Sequence, residues 1–485
     1  MTASDLPAGR HLALTWGIAA PYGGMTTALL ERSRLFAESG TPVDVLTLDD
    51  RPRGLGPEFA ELARIGVRVH NLYDWARSGE ILPSGTVPDA PEPIAERTDV
   101  TIDTVGGVVV RRVRVGENGR PVDIDHLRAD GTIALSERRS APRGRLLLAR
   151  DPSGRPVRAW RRRYDLYADW LDHLVGDREA FVIVDSKTVA PFVADYHRTR
   201  VTTAHVIHGS HRGPTPGSVR ASRAPVFSRL ADFDTVVFAT EAQRRDVRAL
   251  VGDRPFLTSI AHPVAAVPAT ELPSESARSG AVVVARLEPI KRVDHAVEAV
   301  LRLHRAGPAS PQLDVYGSGS RADDLTGLVA GADGIRLHGH IDDPGPALAG
   351  ASILLLTSRS EAFGLVLLEA MAAGCLPIAY DIAYGPGDLI DHGANGWLVP
   401  DGDIDALAAA VRAATDLAPA RLAAMRENAR ATAARYSGER IRQRWAAVLR
   451  AARRRRRIAR RVRPGLDRLR RVARAVRARL RRFAD

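Results

Sequence analysis

The residues best suited to chemistry lie between Thr357 and Gly396, TSRSEAFGLVLLEAMAAGCLPIAYDIAYGPGDLIDHGANG. The apolar run Ile353–Leu356 reads as a strand, Glu361 falls in the loop after it, and a helix is predicted from near Gly364. The first amides of that helix, at Gly364, Leu365 and Val366, lack intrahelical acceptors and sit on the positive end of its dipole, which suits an anion. Glu369 follows about a turn later, within reach of a polar ligand group, and Gly374 stops the helix. Spacing alone fits a capped helix with two surface glutamates equally well. A second stretch, Ala285–Arg292 (ARLEPIKR), puts Arg286 and Lys291 just after another predicted strand. Arginine offers phosphate a two-pronged donor and lysine a point charge. Standing alone, the pair reads as surface cations on a loop. Strand Thr202–Ile207 delivers His208 and then His211, a His-x-x-His spacing with no third metal ligand beside it. A buried structural histidine is the other reading of each.

Elements must position these residues, and the chain is long enough to supply them. Its 485 residues, 45% apolar and 26% charged, suit two or three domains with substantial cores. No window approaches eighteen uninterrupted apolar residues, and the polar start Met1–Arg10 lacks a secretory-signal pattern. The single cysteine, Cys375, excludes an intramolecular disulfide and any cysteine-built metal site. A cytosolic protein is expected. The first segment reads as strand His11–Trp16, a small-residue loop through Gly23-Gly24, helix Met25–Ser39 and strand Val43–Leu48, the opening of a parallel α/β domain. Strands are predicted again at Phe181–Asp185, Thr202–Ile207 and Thr235–Phe238. Residues 262–280, rich in Pro and Ser, read as a linker. A second α/β unit follows, with strand Ala281–Ala285, helix Val293–Ala306 and strands Leu313–Tyr316, Ile335–Leu337, Ile353–Leu356 and Pro377–Ala379. Between residues 98 and 160 the pattern changes to short alternating runs, Val108–Val115, Val122–Asp125, Ile133–Leu135 and Leu146–Leu148. They are separated by Asn118-Gly119, Asp130-Gly131 and Ser153-Gly154, which favour hairpin turns. An antiparallel insertion in the first α/β domain is expected; a charged loop is the alternative.

Glu361 and Glu369, with seven residues between them and Phe363-Gly364 inside, resemble the E-x7-E motif of family 4 retaining glycosyltransferases. Ala285–Arg292 resembles that family's Arg…Lys donor-phosphate motif, with Ala285 where Gly is commoner; Gly23-Gly24 and the loop Gly385–Gly396 match as well. The resemblance implies an α/β GT-B fold, two Rossmann-like domains facing a cleft, to which the residues themselves add a β-rich insertion in the first domain and a basic helical tail. The implied boundaries are 1–97 with 161–268 for the N-terminal acceptor-side domain, 98–160 for the insertion, 269–450 for the nucleotide-sugar domain and 451–485 for the tail. It also implies catalytic candidates His208, Arg286, Lys291 and Glu361. Donor-binding candidates are Gly23, Gly24, Arg286, Lys291, Gly339, His340, Glu361, Phe363, Gly364, Leu365 and Glu369. Arg286 and Lys291 would stabilise charge on a departing diphosphate without a metal. Glu361 and the amides of Phe363, Gly364 and Leu365 would hold sugar hydroxyls and β-phosphate, Glu369 the ribose hydroxyls, and backbone near Gly339–His340 the base. No cofactor is implied, only a UDP-sugar co-substrate. Gly23-Gly24-Met25-Thr26, His208-Gly-Ser-His211 and Asp381-Ile-Ala-Tyr384-Gly385-Pro386 further resemble poly(glycerol-phosphate) α-glucosyltransferases of wall teichoic acid synthesis. These move glucose or N-acetylglucosamine to a polyol-phosphate chain, and in some the insertion builds an oligomer. The same motifs would serve transfer to a membrane lipid or exopolysaccharide intermediate, or persist in a non-catalytic scaffold.

The net charge of +13 is concentrated at one end. Residues 451–485 hold sixteen Arg against Asp467 and Asp485, so the rest of the chain is close to neutral. After Pro464, apolar residues Leu466, Leu469, Val472, Val476, Leu480 and Phe483 recur every three or four positions among arginines. Such a helix suits an anionic membrane surface, which places the protein on the inner face of the cell membrane. A polyanionic acceptor would use the same charges, and packing on the catalytic domain is the alternative. No aromatic interleaving or reading motif points to nucleic acid. Only Lys187 and Lys291 are lysines, so Lys291 stands out against an arginine background.

Overall fold

The computed structural model describes residues 5–481 except 19–21, 52–55, 79–84, 88–98, 140–143, 216, 266, 269, 271, 275–276 and 308–310; for 461–481 it describes the backbone alone. The chain forms two compact units. One comprises residues 5–206, 224–235 and 446–485, the other 207–223 and 236–445 with the first four residues.

The first unit opens on β1 (Arg10–Thr15), β2 (Val43–Thr47) and β3 (Val67–Asn71). An antiparallel meander then interrupts the α/β pattern: β4 (Asp99–Val105), β5 (Val108–Val115), β6 (Pro121–Leu127), β7 (Ile133–Arg138), β8 (Leu146–Arg150) and β9 (Pro156–Trp160), paired in chain order. Its turns use Gly119, Gly131 and Gly154 at φ of 71°, 84° and 84°, the left-handed conformation that tight hairpins need. The many arginines here serve the sheet itself. Arg111 pairs with Asp103 at 2.7 Å, Arg114 and Arg138 with the buried Asp125 at 2.8 and 2.7 Å, and Arg163 with Glu137 at 2.7 Å. The insertion is tied to the unit by Tyr73 stacked on His126 at 4.3 Å and by Arg111 to Asp50 at 3.2 Å.

The parallel pattern resumes with β10 (Ala180–Val184) and β11 (Val201–Ile207), which with the first three strands run in the order β11-β10-β1-β2-β3; β12 (Thr235–Phe238) and β13 (Leu257–Ser259) follow, counted with the second unit except for Thr235. Every residue of β10 and β11 is buried, as expected of strands covered on both faces. Helix Gly24–Glu38 is fastened to the end of β10 by a bidentate pair, Arg32 to Asp185, at 2.9 and 2.7 Å. The second unit is built on β14 (Ser279–Val284), β15 (Leu313–Tyr316), β16 (Ile335–Gly339), β17 (Ala351–Leu356), β18 (Leu376–Tyr380) and β19 (Trp397–Val399). All pairings are parallel in the order β16-β15-β14-β17-β18-β19. This is the α/β architecture with β insertion that the sequence implied.

The last helix runs from Gly438 to Arg481, so it starts thirteen residues before the basic segment that the sequence set apart. Ile441, Trp445, Leu449 and Ala452 are all buried, at the three- and four-residue spacing of one helix face. Within the first unit, Arg456 pairs with Asp234 at 2.6 Å, Arg455 donates to the Asp234 carbonyl at 3.0 Å, and Arg457 reaches Glu179 at 3.1 Å. Arg455, Arg456 and Arg457 therefore bind the protein's own surface. The apolar stripe expected from Leu466 to Phe483 lies outside the described side chains. Among the described residues, no helix is long and apolar enough to cross a membrane.

Candidate active site

Two loops at the carboxyl ends of adjacent strands β14 and β17 carry most of the charged candidates. After β14 the chain passes Arg286, which is exposed, and turns through a short helix Pro289–Lys291. After β17 it passes Glu361 and enters helix Leu365–Ala372. Lys291 Nζ and Glu361 Oε1 meet at 2.5 Å, both side chains mostly buried. The loops are laced together beneath this pair. Arg359 N donates to the Ile290 carbonyl at 2.8 Å, and Thr357 Oγ1 donates to the carbonyls of Lys291 and Arg292 at 3.0 and 2.7 Å. Gly364 caps the helix in a left-handed conformation, φ 85° and ψ 61°. That conformation is one glycine adopts at no steric cost. The free amides expected at Gly364, Leu365 and Val366 thus stand at a helix start, as predicted, and Glu369 lies half-buried one turn along. Gly374, at φ 73°, ends the segment.

His208 belongs to the same unit. Its ring stacks on His262 at 5.9 Å, and His262 in turn meets the edge of Phe363 at 5.4 Å. Phe363 is buried and also packs on Tyr436. A chain of rings therefore links His208 to the loop of Glu361. His211 is buried, stacks on Tyr384 at 5.8 Å, and burial lowers its pKa to about 4, so it is neutral near pH 7. Beside it, Tyr384 donates to Asp246 at 2.6 Å and Arg212 to Asp246 at 2.8 Å. Burial pushes the Asp246 carboxyl up, but these hydrogen bonds outweigh it and hold it below the usual range. Gly339 ends β16 at φ 78°, and His340 follows, 3.3 Å from Asp342. Gly23 and Gly24 belong to the other unit, where they open helix Gly24–Glu38. Among the described residues, no group of three or more His, Cys, Asp or Glu is arranged to hold a metal ion.

Sequence reasoning missed three contributors. His262 sat in a stretch read as linker, and nothing in its spacing marked it. Arg292 closes the motif Ala285–Arg292, where its residue type alone assigns it no role. The third is the loop Gly317-Ser318-Gly319-Ser320 after β15, where a Cβ at Gly317 would fall 1.8 Å from the Ala285 carbonyl oxygen and one at Gly319 2.4 Å from that of Leu287. Leu287 N donates to Ser318 O at 2.8 Å and Ser320 Oγ to Glu288 at 2.8 Å, which fixes the loop of Arg286. Two glycines around a serine just after a strand are the signal that could have found it.

Residues 278–416 match the family described as Glycosyl transferases group 1. The Bacillus subtilis poly(glycerol-phosphate) alpha-glucosyltransferase is 28% identical over 251 residues, covering 50% of this chain and 37% of that enzyme. An exopolysaccharide phosphotransferase of Streptomyces coelicolor is 35% identical over 242 residues, covering 47% of this chain and 24% of that protein. The chain thus spans well under two thirds of the length of either relative. A Staphylococcus aureus TarM mutant, crystallised with fondaparinux, α-GlcNAc-glycerol and UDP, superposes with a TM-score of 0.75 at 17% identity, covering 91% of this chain and 100% of that one. The chain has the GT-B fold, and within it residues 278–416 are similar to the family of glycosyl transferases group 1.

Proposed function

We propose that the protein is a retaining, metal-independent glycosyltransferase that moves glucose or N-acetylglucosamine from a UDP-sugar to a hydroxyl of a polyol-phosphate polymer. The observation that carries this reading is the Lys291–Glu361 pair, with Glu361 in the loop that leads into the helix capped by Gly364. It puts a cation, a hydroxyl acceptor and a helix N-terminus within one pair of loops, the combination that a sugar diphosphate needs. In the reaction, charge builds on the departing diphosphate as the anomeric carbon becomes oxocarbenium-like. Lys291 and Arg286 stabilise that charge, Glu361 and the amides of Phe363, Gly364 and Leu365 hold sugar and β-phosphate, and Glu369 accepts from the ribose. Backbone at Gly339 and His340 lies against the base. His208 orients the sugar, and the acceptor attacks on the face the diphosphate leaves, its proton passing to the leaving phosphate. The relatives' names support UDP-sugar and glycerol-phosphate as donor and acceptor. Attachment to the inner membrane face through the basic tail, and a homo-oligomer, are part of the same proposal.

A second reading, transfer to a lipid or exopolysaccharide intermediate, draws support from the Streptomyces match. The deciding experiment is UDP release across a panel of UDP-sugars, with and without poly(glycerol-phosphate). Acceptor-dependent release with one sugar is expected. Release that ignores the polymer favours the second reading, and no release with no UDP binding leaves a scaffold. Lys291→Ala and Glu369→Ala are each expected to lower turnover by about a hundredfold with the fold intact; near-normal rates in both would remove the donor-site assignment.

A further inference from the structure

We infer that Arg292 is the positioning residue that presents Lys291 to its ligand, an inference that rests on the donor-phosphate reading of Lys291. Among the described residues, Arg292 is the one non-glycine at positive φ, 47° with ψ 44°. A long side chain is rare in that conformation because its Cβ crowds the backbone, and such residues persist where their surroundings over-determine them. The surroundings here do so. Nε donates to the Thr357 carbonyl at 2.9 Å, Nη2 donates to the Ser358 carbonyl at 3.1 Å and also binds Asp401, and the guanidinium lies 4.7 Å over the Tyr380 ring. Thr357 returns its hydroxyl to the carbonyls of Lys291 and Arg292. The side chain is anchored to the end of β17, and the left-handed kink it holds turns the preceding residue, Lys291, toward Glu361 in the loop after that same strand. A glycine would supply the kink, but only the guanidinium supplies the anchor.

Arg292→Gly separates these contributions, since it accepts the backbone conformation and removes the anchor; Arg292→Lys keeps charge without the fork and serves if the glycine variant folds poorly. The chain has only two lysines, Lys187 and Lys291, so isotope-labelled lysine gives two side-chain NMR signals, assigned with Lys291→Arg. In Arg292→Gly the Lys291 signal is expected to move toward that of an unpaired amine, and UDP binding to weaken about tenfold. In a Lys291→Ala background the same change should alter UDP affinity less than about twofold, because a positioning residue has nothing left to position. An unmoved Lys291 signal, or a loss that adds to that of Lys291→Ala, would overturn the inference. A signal that moves in a protein that binds no UDP would sustain the positioning and discard the donor reading.

Discussion

A histidine's role is set less by its type than by what surrounds it, and two histidines of this chain show the contrast. His11, on β1, is buried against Phe181 at 4.9 Å, with Nε2 on the Pro7 carbonyl at 2.9 Å. Burial pulls its pKa down from 6.5 to about 4, the carbonyl contact opposing only in part. His11 is therefore a neutral core residue. His208, by contrast, ends its strand beside His262 and stays partly open. The sign of the resulting pH effect follows from proton counts. Below pH 6.5 the unfolded chain takes a proton on His11 that the folded chain refuses until about pH 4. Stability is thus fully present above about pH 6.5 and lost as pH falls toward 4, by about 3 kcal/mol from His11 alone. Urea unfolding of wild type and His11→Leu at pH 7 and pH 5 checks this: the variant is expected to show the smaller acid loss, and equal losses would contradict it.

Loops and turns carry the site, and their geometry depends on a few glycines. Gly385, in the loop before a short helix, sits at φ 98°, where an added Cβ would lie 2.5 Å from the Phe363 carbonyl oxygen. Gly393, in the same segment, is also left-handed at φ 73° but has nothing within 4 Å. Gly393→Ala is therefore expected to cost about 1 kcal/mol, the backbone penalty alone. Gly385→Ala must also displace Phe363, which supports His262 and the Glu361 loop, so a loss of about 3 kcal/mol with lowered turnover is expected. Thermal melts and UDP release on both variants decide it; equal effects would mean that the close approach has no consequence. Much at this scale was legible in the sequence. Helix Val293–Ala306 and strands Leu313–Tyr316 and Thr235–Phe238 have the predicted limits, because periodicity and a terminal glycine or cap agree there. β4 and β9 were missed for a physical reason. They are the edges of the insertion: β4 buries none of its residues and β9 only Trp160, so neither has the buried apolar run that marks an inner strand. The motif residues Lys291 and Glu361 were visible as types and spacing, whereas their anchor Arg292 and the support His262 depend on contacts between segments far apart in sequence.

For the whole molecule, the charge count that set the tail apart conceals two kinds of arginine. Arg454 is exposed, while Arg456 is mostly buried against Asp234, which also accepts from Thr203 N at 2.9 Å. The docked arginines continue the buried face of the helix beyond Ala446 and pair with Asp234 and Glu179, so they hold that part of it to the first unit. Removing Arg456 leaves Asp234 partly buried with one strong donor fewer, which is expected to cost about 2 kcal/mol. Arg454→Ala should stay within about 0.5 kcal/mol of wild type, as substitutions at exposed positions usually do. Urea midpoints of the two variants measure the difference, and equal stability would show that the Arg456 pair is no stronger than a solvent-screened surface contact. The distinction governs any test of membrane attachment. Binding to anionic vesicles should weaken with salt if exposed arginines carry it, but a variant that reverses Arg455 or Arg456 would lose binding by loosening the helix. Charge reversals meant to probe the surface therefore belong at Arg454 and beyond the docked turn, with the melting temperature held as the control.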